Sequence, residues 1–527
     1  MRNQSDTTLI QALQNAALYD HPVTGFTVVE THISWVILTG DYAYKIKKPV
    51  DLGFLDFSTL EKRHFYCEEE LRLNRRLAPQ LYLAVVAITG SVANPQLNGS
   101  GPAIEYAVKM RQFHQDRQFD RLLARDGLRP GHIDRVAELI AGCHAHAAVA
   151  RPDTPYGSPA LVWQPVAENY QQILPLLRDE KDVARLQKLQ QWFSEQRTAH
   201  EARFIQRKAA GYIRECHGDL HLANIALFED EVLIFDCLEF NDRLRWIDVI
   251  SDAAFLVMDL ESRGQRALAW RFLNDYLHHS GDYEALPLLP YYLAYRAMVR
   301  AKVASIRRGQ ERLDDQAKTA AEQEFQNYLA LAESYSRPRR PALFITHGLS
   351  GSGKTTITQP LLENLGAVRI RSDVERKRLF GMDSEQSAAA APAQGLYSAA
   401  ASECTYQRLA ELAGTVIEAG FPVVVDATFL RREWRMAFHE LARQLGVPFL
   451  ILHCHAPQAL LRRWIVQRRM SGGDASDADL AVLDHQLATQ EPLTAQEQQW
   501  TVDIDTTQAV DGDALYREVA ARLAEGL

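Results

Sequence analysis

The sequence predicts two joined domains of different class: a mixed α+β domain over residues 1–335 and an α/β domain with a parallel sheet over residues 336–527. Three observations predict this. Residues 342–527 alternate apolar strand-like runs (342–346, 367–371, 422–426, 448–454 and 501–505) with helical patterns, as an open parallel sheet requires. Residues 1 to about 110 mix strands with one long helix, and 111–335 are mainly helical. Between the halves, Ser336-Arg337-Pro338-Arg339-Arg340-Pro341 reads as a short stiff connection. At 527 residues the chain is also too long for a single core.

The second half opens on a phosphate-binding loop. The run Ala342-Leu343-Phe344-Ile345-Thr346 predicts a buried strand, and Gly348-Leu349-Ser350-Gly351-Ser352-Gly353-Lys354-Thr355 follows it. A helix should leave the loop at Lys354-Thr355-Thr356. Glycines let backbone N–H groups close around phosphates. The candidate nucleotide contacts are Gly348, Ser350, Gly351, Ser352, Gly353, Lys354, Thr355 and Thr356, with Lys354 on the β/γ-phosphates and the Thr355 hydroxyl on Mg²⁺.

The first half carries its own phosphate chemistry. His217-Gly218-Asp219-Leu220-His221-Leu222-Ala223-Asn224 is followed by Val232-Leu233-Ile234-Phe235-Asp236. This resembles the catalytic loop of the protein-kinase-like superfamily, in its aminoglycoside phosphotransferase branch, and implies a bilobal kinase-like fold with a small lobe over about 1–110. By that resemblance Asp219 takes the acceptor's hydroxyl proton, while Asn224 and Asp236 hold Mg²⁺. Gly218 stands where protein kinases carry Arg. The fold also implies a strand lysine paired with a helix glutamate. Residues 33–48 read as strand, Gly-Asp turn, strand, so Lys45 or Lys47 faces the cleft. Lys45 is chosen, with Glu70 rather than Glu69 as partner and Val108-Lys109-Met110 as the adenine hinge. Asp248 and Asp252 are read as braces of the loop.

Three further segments point to a kinase in the second half. Arg371-Ser372-Asp373-Val374-Glu375-Arg376 resembles an element of polynucleotide kinases and zeta-toxin-like kinases, which implies Asp373 as general base and Arg376 on the acceptor. Val423-Val424-Val425-Asp426 ends a strand on an acid, placing Asp426 near Mg²⁺ or the acceptor. Arg462, Arg463, Arg468 and Arg469 precede Ser471-Gly472-Gly473-Asp474, like the lid of small P-loop kinases. Arg463 and Arg468 are the candidates to neutralise the transferring group. The whole chain thus resembles bacterial fusions of an aminoglycoside-phosphotransferase-like kinase with a P-loop ATP-binding kinase.

The expected activity is transfer of a γ-phosphoryl group from ATP, with GTP left open, to a small-molecule or nucleotide hydroxyl with Mg²⁺. A regulatory protein with one non-catalytic nucleotide-binding domain is the alternative. The net charge of −9 speaks against a DNA-coating surface and disfavours an RNA end as acceptor. Six scattered cysteines without a CxxC pair fit reduced thiols and a cytoplasmic location. The polar N-terminus has no signal-peptide pattern, and no apolar run is long enough to span a membrane. Cys143-His144 with His146, and His453-Cys454-His455, are read as core and surface residues rather than metal sites.

Overall fold

The computed structural model describes residues 4–53, 55–309, 314–382, 398–471 and 479–524. By contact the chain divides into two units, Met1–Asp259 with Ser305–Arg312, and Leu260–Ala304 with Leu313–Leu527.

After a helix over Gln4–Ala12, the first unit forms a six-stranded antiparallel sheet: β1 (Thr27–Glu30), β2 (Ser34–Leu38), β3 (Tyr42–Lys47), β4 (Tyr82–Gly90), β5 (Pro95–Leu97) and β6 (Ala103–Arg111), ordered β1-β2-β3-β6-β4-β5. The Gly40-Asp41 turn joins β2 to β3, and Lys45 pairs with Val36 on one side and Val108 on the other. Helix α1 (Leu60–Asn74) starts where the Thr59 hydroxyl accepts from the Lys62 N–H. Its buried face carries Arg63, Cys67, Glu70, Leu71 and Asn74, three to four residues apart, so Glu70 enters the interior by helical period alone. Val108-Lys109-Met110 lie inside β6, and Val108 is fully buried against Leu81, Tyr82 and Leu233. The crossing between lobes therefore starts at Gln112, beyond the hinge expected from the sequence.

The helical lobe is threaded by two small ribbons: β7 (Ile213–Glu215) with β10 (Trp246–Asp248), and β8 (Ile225–Phe228) with β9 (Glu231–Ile234). The 217–224 segment lies between β7 and β8, and Asp236 follows β9. Helix α2 (Val249–Ser262) starts directly after β10.

The second unit is built on five parallel strands: β11 (Leu343–His347), β12 (Val368–Arg371), β13 (Val423–Asp426), β14 (Phe449–His455) and β15 (Thr501–Asp505), ordered β12-β13-β11-β14-β15. These lie within a residue or so of the expected runs. All five residues of β11 are buried, as befits a central strand covered on both faces.

The linker at 336–341 assigned residues 260–335 to the first half, whereas most of them pack with the second unit. Helix α3 (Arg266–Ser280) is the physical reason. Its buried Asn274 donates to the Ala367 carbonyl at 3.0 Å and accepts from the Arg369 N–H at 2.7 Å, so its amide pairs with edge strand β12 as a neighbouring strand would. The Tyr283 hydroxyl donates to the Arg369 carbonyl beside it at 3.3 Å. A proline-rich connection marks stiffness in the sequence but carries no information about which side a preceding helix covers.

Candidate active sites

In the first unit, strand alternation puts Lys45 and Lys47 on one face of β3, and both meet Glu70. Lys45 Nζ lies 2.8 Å from Glu70 Oε1 and 2.7 Å from Asp236 Oδ1. Lys47 Nζ lies 2.6 Å from Glu70 Oε2 and also pairs with Glu239. The two lysines differ in depth. Lys47, Glu70 and Glu239 are buried, whereas Asp236 is 46% exposed at the cleft end of the chain of charges. Burial pulls the Lys45 ammonium down, but Asp236 and Glu70 carry it well above its ordinary value. Burial likewise opposes ionisation of Glu70, and the two lysines overcome it. Burial raises Glu239, with Lys47 acting against it.

Around Asp219 the loop is fixed from behind. Asn224 Nδ2 donates to the Asp219 carbonyl at 3.0 Å and to Asp219 Oδ2 at 3.3 Å. That orientation turns the Asn224 amide oxygen away from Asp219, as a hard-cation ligand requires. His221 Nε2 lies 3.3 Å from Asp219 Oδ2. Buried Asp252 accepts from the His217 N–H at 3.0 Å and the Gly218 N–H at 2.9 Å, and Asp259 accepts from the Leu222 N–H at 3.0 Å. Gly218 is at φ +86°, where an added Cβ would sit 2.8 Å from the Leu244 carbonyl oxygen. The sequence departs from the protein-kinase Arg here because this backbone excludes a side chain. Asp248 forms a buried bidentate pair with Arg207, at 2.6 and 2.7 Å. Asp236 itself adopts φ +63°, its N–H donating to the Tyr82 hydroxyl at 3.2 Å, while the next N–H donates to Asn74 Oδ1 at 2.8 Å.

In the second unit the phosphate loop runs from β11 into helix α4 (Lys354–Leu361). Gly348 has φ +149°, and a Cβ there would collide with the Cys454 carbonyl. Lys354 Nζ donates to the loop's own carbonyls, Leu349 at 2.8 Å and Gly348 at 3.1 Å. The Thr355 hydroxyl donates to Asp426 Oδ2 at 2.7 Å. This hydroxyl–carboxylate pair, from the first turn of α4 and the end of β13, is an oxygen set suited to Mg²⁺. Asp426 is thus in direct contact with the Thr355 hydroxyl.

The loop borders a cleft of about 840 Å³. Asp373 and Arg376 from helix α5 (Ser372–Leu379) also line it, with Arg371 at the end of β12 and Arg431. Two aromatic rings of its lining, Tyr406 and Trp434, stack 4.6 Å apart at 7°. Arg463 does not line the cleft. It is exposed on helix α6 (Gln458–Ser471), in a shallow depression with Arg462 and Val466, and its neighbour Trp464 lines the cleft instead. A one-residue step on a helix turns the side chain by roughly 100°. The Arg468 side chain and residues 472–478 lie outside the described residues.

Comparison with known proteins agrees with both halves. Residues 60–289 match the phosphotransferase enzyme family and residues 343–493 match an AAA domain family. A protein of Mycobacterium tuberculosis (strain ATCC 25618 / H37Rv) described as Uncharacterized protein Rv2004c is 32% identical over 470 residues, 88% of this chain and 91% of that protein. Uncharacterized protein Mb2027c of Mycobacterium bovis gives the same values. The chain belongs to this family of two-domain phosphotransferases. Among solved structures, amicoumacin kinase hAmiN in complex with AMP-PNP, Ca²⁺ and Ami is 13% identical with a TM-score of 0.39, covering 62% of this chain and 94% of that one. A gluconokinase from Sinorhizobium meliloti 1021 is 22% identical with a TM-score of 0.25, covering 36% and 94%.

The phosphotransferase match begins at residue 60, so β3 with Lys45 and Lys47 lies outside it; the ion pairs alone tie that strand to the site. The sequence reading missed Glu239 and Gln486. Gln486, on the helix Leu480–Thr489, accepts from the Ser350 N–H at 2.8 Å and donates to the Ser350 hydroxyl at 2.9 Å, holding the phosphate loop from across the cleft. Neither residue sits in a motif, and only the tertiary fold brings them in. Among the described residues, one group of three potential metal ligands has its ligand atoms within 4.8 Å: His144, Cys216 and Asp252. The Asp252 carboxylate is already occupied by two backbone N–H groups and His144, so this group is a brace rather than a metal centre. No described helix is long and apolar enough to cross a membrane.

Proposed function

We propose that both units are phosphotransferase centres, each moving the γ-phosphoryl group of ATP, or GTP, to an acceptor hydroxyl with Mg²⁺. One observation carries this reading. Each unit separately assembles a lysine for phosphate, an oxygen set for a hard cation and a further carboxylate for the acceptor. Phosphoryl transfer asks for positioning and charge neutralisation, and these are the groups that supply them. In the first centre Lys45 leaves Asp236 for the nucleotide phosphates, Asn224 and Asp236 hold Mg²⁺, and Asp219 accepts the hydroxyl proton. In the second, Lys354 leaves the loop carbonyls for the phosphates, Thr355 and Asp426 hold Mg²⁺, and Asp373 takes the proton. In both, the cation would neutralise charge on the phosphoryl oxygens.

The second acceptor carries an anionic group of its own. Three arginines (Arg371, Arg376 and Arg431, the last also paired with Glu433) line the same cleft as Asp373, and guanidinium groups suit an anionic group on the acceptor. A small molecule or nucleotide fits this cleft. Calorimetric titration of the full chain with ATP and Mg²⁺ tests the pair of sites. Two nucleotides should bind per chain, with Asp236→Asn removing one and Lys354→Ala the other. A single site, or one lost in both variants together, would sink the reading.

A further inference from the structure

The carboxyl ends of β11, β14 and β15 carry a second set of groups that phosphate chemistry does not use. His347, His453 and Asp503 are register partners on three adjacent strands, and His455 follows two residues later on β14. Cys454, Val502 and Ile504 belong to the apolar core on one face of the sheet, so the histidines and Asp503 project from the other. The His347 and His453 ring centroids are 4.8 Å apart, and those of His453 and His455 5.2 Å. His453 Nδ1 lies 2.9 Å from Asp503 Oδ1, and His455 Nε2 lies 3.2 Å from Asp503 Oδ2. His347 is only 6% exposed, and among the described residues neither of its ring nitrogens has a hydrogen-bond partner. Buried polar groups are as a rule partnered, so this ring asks for one.

We propose that His347, His453, His455 and Asp503 form a binding site for one transition-metal dication of the zinc class. Imidazole nitrogens with one carboxylate are the donor set such ions take, and hard Mg²⁺ and Ca²⁺ do not. A tetrahedral ion holds imidazole nitrogens at about 2.0–2.1 Å, which places neighbouring ring centroids about 5 Å apart. The two observed spacings are of that size, but among the described residues no three of this group place their ligand atoms within 4.8 Å of one another, so an ion would have to draw the side chains together. The nearby Arg435 charge is balanced by its buried pair with Glu497 at 2.6 Å. In this structure the two outer imidazoles clasp Asp503 rather than a common point. His455 and Asp503 are both exposed, and rotating them inward disturbs no core packing. The sequence reading took the His453-Cys454-His455 run as core and surface residues rather than a metal site. The buried His347 and the facing Asp503 come from neighbouring strands that only the folded sheet brings alongside.

The test uses the full chain, stripped with chelator, kept reduced, and titrated with Zn²⁺ alone in excess Mg²⁺ so that the hard-cation sites are filled. The expected result is one Zn²⁺ per chain with a dissociation constant on the order of 1 μM or tighter. His455→Ala and Asp503→Ala should each weaken it tenfold or more. Both residues are exposed, so melting curves of the metal-free variants should overlay the wild type. Co²⁺ should give a visible d–d band that both variants lose. No stoichiometric binding, or a dissociation constant weaker than about 100 μM, would overturn the proposal. So would affinity unchanged in both variants, which would place the ion on thiols or acidic groups elsewhere.

Discussion

Lys45 and Lys47 share Glu70, yet replacing them should have unequal consequences. Lys47 is 1% exposed between Glu70 and Glu239. Lys47→Met leaves two buried carboxylates facing each other with only Lys45 to act on both. Removing one partner of a buried ion pair costs about 3–5 kcal/mol, which for a unit of this size lowers its melting temperature by roughly 10 °C. The loss should depend on pH with a definite sign. Burial already raises Glu239 against the pull of Lys47, and without Lys47 it rises further above its unfolded value. A carboxyl raised by folding is destabilising when ionised, so the deficit is largest near pH 8 and shrinks as pH falls towards 5. Lys45→Met should cost less stability than Lys47→Met, because Asp236 is half solvated and Glu70 keeps Lys47, although Lys45 leads the charges that hold buried Glu70 ionised. Its cost appears in nucleotide binding. The assay is scanning calorimetry of the full chain, with the first unit's transition identified as the one that ATP and Mg²⁺ raise in a Lys354→Ala background. A Lys47→Met shift under about 2 °C, or a deficit that grows on acidification, would refute the reasoning.

Other predictions rest on single geometries. Lys354→Ala should weaken ATP binding at the second centre by about ten- to a hundredfold, the worth of a hydrogen bond to a charged group, read by calorimetry in an Asp236→Asn background. Asp426→Asn should leave Mg²⁺-free ATP binding there intact while removing most of its enhancement by Mg²⁺, since Thr355 and Asp426 together hold the ion. Asp252→Ala strips the partner from the buried His217 and Gly218 N–H groups, at about 1–3 kcal/mol each; the first unit should melt lower and hydrogen exchange at residues 217–224 should rise. His278 is held down to about 2, first by burial and then by Arg371. Its folded value lies below its unfolded one, so its contribution is full above about pH 6.5 and is lost as pH falls. By pH 4.5 the second unit should lose roughly 2–3 kcal/mol that His278→Gln retains, measured from its melting curve across pH.

The parts of this protein that were legible in sequence are those fixed by local rules. The strand runs of the second unit, the phosphate loop and the 217–236 loop each occupy one continuous stretch, where spacing and residue type decide geometry. Lys45 and Glu70 were legible for a related reason: strand alternation and helical period each put them on an inward face. Side chains whose role depends on a distant neighbour were not. Gln486 reaches the Ser350 N–H from more than a hundred residues away, and Asn274 serves strand β12 from a helix that precedes the proline linker. Arg463 failed for a geometric reason, since basic character along a helix does not say which side faces the cleft. Val108 to Met110 failed because a strand's end is set by its partners, and β6 stays paired through Arg111.

The central claim is that one chain holds two independent phosphotransfer centres. It is tested most directly by following the γ-phosphate of labelled ATP and GTP into an extract of cell metabolites and small RNAs. Wild type would be compared with Asp219→Asn and Lys354→Ala. The account predicts at least two labelled products, one lost in each variant and kept in the other, with the product of the second centre bearing an anionic group besides the new phosphate. Label transfer unchanged in both variants, or tight nucleotide binding with no labelled product from one unit, would contradict it and make that unit a nucleotide-responsive switch.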